Sequence, residues 1–205
     1  MKCIISLFLS LMLFACSAFA QANVPADVFV KSVADDVLAI VKKDKDIQNG
    51  DQEKIFALAE EKIVPNFNFD HVCRLVLGKN YSKATKDQQE AFEREFRSLL
   101  IRTYASALSK YRNQTIEYKP LRDVADVSPV TVKTQILQSG GQPLAVDYSL
   151  EQVADVWKVY DITIEGVSLV TNYRSQFSNE VRQGGMDGLI QKLADKNKNN
   201  AASKK

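Results

Sequence analysis

Reactive side chains are scarce in this 205-residue sequence. It has one histidine, three cysteines and one tryptophan, and its 27 basic and 25 acidic residues leave a formal net charge of only +2. Each shortage excludes something. The lone His71 stands two positions from Cys73, and two ligands cannot make a zinc site, which needs three or four nitrogen or sulfur donors at compatible spacing. Nor do positions two apart on a helix face each other as a thiol and its base must. Cys3 and Cys16 fall within the first twenty residues, so the remainder holds Cys73 alone and cannot form an internal disulfide. Near-neutrality argues against a nucleic-acid binder, whose usual footprint is a strongly basic domain. No P-loop, no Gly-x-Ser-x-Gly and no dinucleotide fingerprint occurs. The glycine-rich run Gly184-Gly185-Met186-Asp187-Gly188 follows a helical pattern rather than a strand, and reads as a helix break.

Long apolar runs are equally scarce. The one example is residues 1–20, with Lys2 near its start and Ala18-Phe19-Ala20 as a small-x-small end, the form of a secretory signal peptide cleaved after Ala20. Its apolar stretch falls short of the ~20 residues that comfortably span a bilayer. A lipoprotein signal ending at Cys16 is the weaker reading, because Phe14 is bulky for that box. The sequence therefore predicts a secreted protein: residues 1–20 removed, one domain over 21–196, and a polar, disordered tail over 197–205.

What is present is apolar periodicity. Val30, Val33, Val37 and Ile40-Val41 mark a first helix. Ile55, Leu58-Ala59 and Ile63 mark a second, ended by Pro65, and a third runs from about Asp70 to Leu77. The longest opens with Thr85 and Gln88 as a capping box, and carries Phe92, Phe96, Leu99-Leu100, Tyr104, Leu108 and Tyr111 on one stripe. From Gln114 the period changes. Strands are expected over 115–119, 130–137, 144–150 and 156–164, the middle pair joined by Ser139-Gly140-Gly141. After Glu165-Gly166, Val167, Val170, Tyr173 and Phe177 return to helical spacing, and a last short helix carries Met186, Leu189-Ile190 and Leu193.

This order predicts an α+β domain, a curled antiparallel sheet of about four strands packed against several helices. Strand 156–164 looks apolar on both sides, and simple alternation puts Val159 and Ile162 on opposite faces. Asp147, Asp161 and Glu165 lie in or beside the sheet and could be gathered as a carboxylate cluster for acid-base work. A solvated face accounts for Asp147 more simply. The aromatic residues Tyr104, Tyr111, Tyr148, Trp157, Tyr160, Tyr173 and Phe177 offer either an ordinary core or the wall of an apolar cavity.

The stretch Tyr160-Asp-Ile-Thr-Ile-Glu-Gly-Val-Ser-Leu-Val-Thr-Asn-Tyr-Arg-Ser-Gln-Phe177 resembles the signature of the MlaC family, also called the toluene-tolerance family. The resemblance continues in Pro65, Phe69-Asp70, Val76-Leu77-Gly78-Lys79, Tyr81, Gln88, Phe92, Phe96, Thr103-Tyr104, Asp147-Tyr148, Trp157 to Asp161 and Asp187-Gly188-Leu189-Ile190. His71-Val72-Cys73 departs from it. The resemblance implies a periplasmic phospholipid carrier rather than an enzyme, with bound phospholipid as cargo, no cofactor, no metal and no nucleic-acid partner. It implies an apolar pocket between sheet and helices, for which Tyr104, Leu108, Val146, Tyr148, Trp157, Val159, Val167, Val170 and Tyr173 are the candidate lining, with Arg174 and Arg182 as a head-group rim. It further implies two partners, an inner-membrane ABC transporter with a lipid-binding ring and an outer-membrane lipoprotein-porin complex, and a role in outer-membrane lipid asymmetry. The alternatives are a cone-shaped α+β enzyme or binding protein for a small apolar ligand, with Asp161 as its one nominable base, or an envelope adaptor.

Overall fold

The structure is a computed structural model that describes residues 24–111, 114–121, 128–138 and 140–202; the expected signal segment and residues 203–205 lie outside these. Helix α1 (Ala26–Lys43) buries Ala26, Val30, Val37 and Val41. Asp44 and Asp51 then cap the short α2 (Lys45–Gln48) and α3 (Gln52–Leu58), each accepting hydrogen bonds from two backbone N–H groups. Such caps satisfy donors that a helix start leaves without partners. The second expected helix loosens after Leu58 into a π turn (Ala59–Ile63) and a 3-10 turn (Val64–Asn66) around Pro65.

Beyond that turn, α4 (Phe69–Leu77) and α5 (Lys86–Tyr104) pack with α7 (Leu169–Ala202). The capping box of Thr85 and Gln88 forms as the sequence predicts. The long stripe does not continue unbroken to Tyr111, because α5 ends at Tyr104 and a separate turn, α6 (Ser106–Ser109), follows. Helix α7 is interrupted at Gly185, whose φ of 66° and ψ of −172° suit glycine, so the expected break is real. Of the tail expected over 197–205, only residues 197–202 are described. Residues 197–202 continue the helix, and Asn197 is buried because its Nδ2 donates to the Glu95 backbone carbonyl at 2.9 Å and to Glu95 Oε2 at 3.0 Å. A polar composition does not prevent folding where a neighbouring helix offers acceptors.

The sheet has five antiparallel strands rather than about four: β1 (Thr115–Tyr118), β2 (Val130–Leu137), β3 (Leu144–Val153), β4 (Val156–Ile164) and the two-residue β5 (Val167–Ser168), in sequence order. Register decides its faces. Tyr118, Thr134, Val146, Ile164 and Val167 form one rung across all five strands. Val132, Tyr148 and Ile162 form another, and Val130, Leu150 and Val159 a third. All three rungs share a face, since paired residues point the same way and successive residues alternate. The opposite face carries Lys133, Asp147, Thr163 and Ser168 on one rung and Thr131, Ser149 and Asp161 on the next.

Strand β4 was expected to be apolar on both faces, and it is not. Ser149 pairs with Asp161 and Leu150 with Val159, which leaves Tyr160 unpaired as a β-bulge. The extra residue shifts the alternation by one, so Val159 and Ile162 lie on the same face. Tyr160 turns to the helical side, where its ring stacks on His71 at 5.1 Å between centroids.

Candidate functional site

A domain of this size ordinarily has one contiguous core. Here the buried apolar residues fall into three. The largest joins α4, α5 and α7 around Phe92, Phe96, Tyr173 and Phe177, whose rings meet at 5.1–5.5 Å. A second gathers the C-terminal half of α1 with α2, α3 and the end of α5, and Leu108 and Tyr111 pack against it. The third lies under the N-terminal half of α1, where Ala26 and Val30 cover Val130, Val132, Leu150, Trp157 and Val159. Trp157 Nε1 also donates to the Val24 carbonyl at 2.7 Å, pinning the start of α1 to the sheet.

Much of the apolar sheet face lies beyond α1. Ile116, Ile136, Leu144 and Ile164 stand on that face yet belong to none of the three clusters, and each keeps part of its surface accessible. The main contacts of α5 and α6 are with other helices. The face opens at β1 into a cleft of about 490 Å³, floored by Leu38, Ala39, Tyr111, Ile116 and Tyr118 and edged by Lys31, Asp35 and Lys42. That volume falls within the roughly 300–1,000 Å³ typical of small-molecule sites. Lys31 and Lys42 sit over the rings of Tyr118 and Tyr111 at 5.9 and 5.6 Å, and Lys31 also pairs with Asp35.

Two phenols on this face are shifted by burial. Burial pushes the Tyr118 hydroxyl up to about 12, and burial likewise raises Tyr148. Both phenols stay neutral across the physiological range. Thr134, the polar residue among the rungs, is 2% exposed, and its Oγ1 donates to the Val146 carbonyl at 2.6 Å.

The structure divides the expected lining residues. Val146, Tyr148, Trp157 and Val159 share the apolar face, with Trp157 and Val159 packed beneath α1. Val167 is on the same face but at its edge, 56% exposed and in β5 rather than in a helix. Tyr104, Val170 and Tyr173 belong to the α4–α5–α7 core, where Tyr173 meets Phe96 edge-on. Leu108 lies in the core beside α3. Arg174 and Arg182 do come together, with Lys79 and Lys83, but at a different cleft that shares no lining residue with the one at β1. Sequence reasoning missed Leu38, Ala39, Ile116 and Tyr118. The alternation of Thr115-Ile116-Glu117-Tyr118 carried the signal for the last two.

The candidate reactive groups are otherwise engaged. Asp161 accepts from Ser168 Oγ and, at 3.0 Å, from the Val170 N–H, and so caps α7. Glu165 Oε1 accepts from the Ala145 N–H. His71 Nδ1 lies 2.6 Å from Glu151 Oε1, and Cys73 is buried, which drives its thiol pKa far upward. A thiol held protonated is neither nucleophile nor ligand.

These features define an α+β domain with a partly uncovered apolar sheet face beside an open cleft. The chain belongs to the MlaC family: its sequence matches the family model described as MlaC protein over residues 31–195. It is 26% identical over 167 residues to the toluene tolerance protein ttg2D of Pseudomonas putida, covering 81% of this chain and 77% of that one. It is 24% identical over 177 residues to the intermembrane phospholipid transport system binding protein MlaC of Haemophilus influenzae, covering 85% and 83%. Among solved structures, the phospholipid-binding protein from Ralstonia solanacearum, in complex with a phospholipid, superposes with a TM-score of 0.82 at 42% identity, over 87% of this chain and 99% of that one.

Proposed function

We propose that this chain is a phospholipid-binding transport protein of the periplasm, holding acyl chains against the apolar face of its sheet. The observation that carries this is the rung from Tyr118 to Val167, apolar but for the buried and hydrogen-bonded Thr134, on a face that α1 covers only in part. An acyl chain in water costs about 0.8 kcal/mol per CH₂, so a lipid moving between membranes needs such a sleeve. The Ralstonia solanacearum relative, bound to phospholipid, supports the same reading. On it the cargo enters at the cleft beside β1, with Lys31 and Lys42 toward its polar end, while Val146, Tyr148 and Ile162 meet the chains.

The reading extends to the route. A carrier exported by its N-terminal segment would exchange lipid with an inner-membrane ABC transporter bearing a lipid-binding ring and with an outer-membrane lipoprotein-porin complex, maintaining outer-membrane asymmetry. The enzyme alternative loses its nominated base, because both Asp161 oxygens are engaged at the start of α7. Mass spectrometry of an organic extract of the purified protein is the test. Near-stoichiometric phospholipid is expected, and an extract without phospholipid, or with a small apolar metabolite in its place, would overturn the proposal.

A further inference from the structure

Four cations gather around the second cleft, a recess of about 450 Å³ behind α4. Lys79 and Lys83 come from the 3-10 turn Gly78–Lys83, and Arg174 and Arg182 come from α7. All four are exposed, and among the described residues none has a carboxylate within ion-pair distance. Nearby cations differ: Arg74 pairs with Asp70 at 2.7 Å and Lys192 with Glu180 at 2.6 Å. Arg174, Ser178 and Arg182 follow at intervals of four in one helix, so they share a face.

Arg174 lies beside Gly78. Gly78 has φ 53° and ψ −126°, a conformation that side-chain-bearing residues avoid, and a Cβ there would lie 3.4–3.7 Å from the Arg174 guanidinium. That is ordinary van der Waals contact, so Gly78 is required by its backbone conformation and not by the approach of Arg174. The planar guanidinium fork of Arg174 matches a carboxylate bidentately.

We propose that this cleft docks an acidic segment of a protein partner, with its carboxylates on Arg174, Arg182, Lys79 and Lys83. In a chain of net charge +2, four converging unpaired cations are a local concentration that an anionic partner would relieve. The shape favours a protein over a bilayer. The cleft is recessed, and the exposed large apolar residues Val24, Val28, Val153, Val156 and Val167 all lie elsewhere, whereas membrane-surface docking joins cations to protruding apolar side chains. The cleft shares no lining residue with the one at β1, which separates the partner's seat from the cargo's entrance. Charge-led docking suits brief encounters, since it raises association rates more than affinity.

The test is fluorescence anisotropy of a labelled polyglutamate peptide titrated with the secreted chain at low and physiological salt. The comparison is between the wild type, the double variant Arg174→Gln/Arg182→Gln, and the charge-matched control Lys43→Gln/Lys133→Gln. Binding by the wild type should weaken with salt, the arginine variant should bind roughly tenfold less well or worse, and the control should stay within about twofold. Amide NMR shifts on peptide addition should centre on residues 78–83 and 174–182. Equal losses in both variants would overturn the proposal, and so would shifts scattered over the surface. Arginine-dependent sedimentation with phosphatidylglycerol vesicles but no peptide binding would assign the cleft to a membrane instead, which also overturns it. Phospholipid content of each preparation is read alongside, so a failure of lipid carriage is distinguishable from a failure of docking.

Discussion

Val159 and Ile162 lie on the same face of the sheet although they are three positions apart in one strand. The bulge at Tyr160 absorbs the odd residue, and it serves both layers at once. Val159 and Ile162 stay with Leu150 and Tyr148, while Tyr160 reaches His71 in α4. Without it, either the sheet face or the contact with the helices would be lost.

The two positions nevertheless differ in cover, and this sets the first prediction. Val159 is 5% exposed beneath α1, whereas Ile162 is half-buried. Val159→Asp puts a charge in a packed site with no partner and should cost several kcal/mol, comparable with the whole stability of a domain. Ile162→Asp places its carboxylate where water can reach it. Circular dichroism and organic extraction should find the first variant largely unfolded and the second folded but depleted of phospholipid. A folded Ile162→Asp protein with full lipid would remove this face from the site.

Asp161 sets the second. Its carboxylate receives the Val170 N–H and the Ser168 hydroxyl, and Ser168 Oγ in turn accepts from the Thr171 N–H at 3.0 Å. Asp161→Ala therefore removes the cap at the start of α7, a loss of about 0.5–2 kcal/mol. Urea titration should show a lower midpoint with an unchanged slope, and phospholipid per folded molecule should be unaltered. A loss of lipid without loss of stability would instead give Asp161 a direct role at the site.

The third prediction concerns acid. Asp70 is held below the usual carboxylate range, first by hydrogen bonds from Arg74 and also by one from the Tyr81 hydroxyl; burial opposes both. A depressed pKa in the folded state contributes stability that is present above the unfolded value of about 3.9 and is lost as pH falls below it. Asp70 is more than half exposed, so solvent screens the pair and the contribution is about 1 kcal/mol or less. The midpoint difference between wild type and Asp70→Asn should be constant near neutrality and close as pH falls below about 4. A gap that persists in acid would assign the effect to packing.

Local chemistry alone determined a good deal of this protein. The capping box at Thr85 and Gln88, the break at Gly185 and the apolar spacing of α1 are read from neighbouring residues because their causes lie within one or two turns. The alternation in β2 and β3 likewise identifies their buried sides. Other features arise between distant segments and left no such trace. The face on which Ile162 lies depends on how β4 pairs with β3, and that pairing inserts an unpartnered Tyr160. The polar run from Asn197 is helical because Glu95, about a hundred residues away, accepts from it. Tyr173 and Val146 looked alike as aromatic and aliphatic wall residues, yet one lies between Phe96 and Phe177 and the other on the sheet face. Apolarity determines that a residue is removed from water, whereas only the packing of layers decides whether protein or ligand replaces that water.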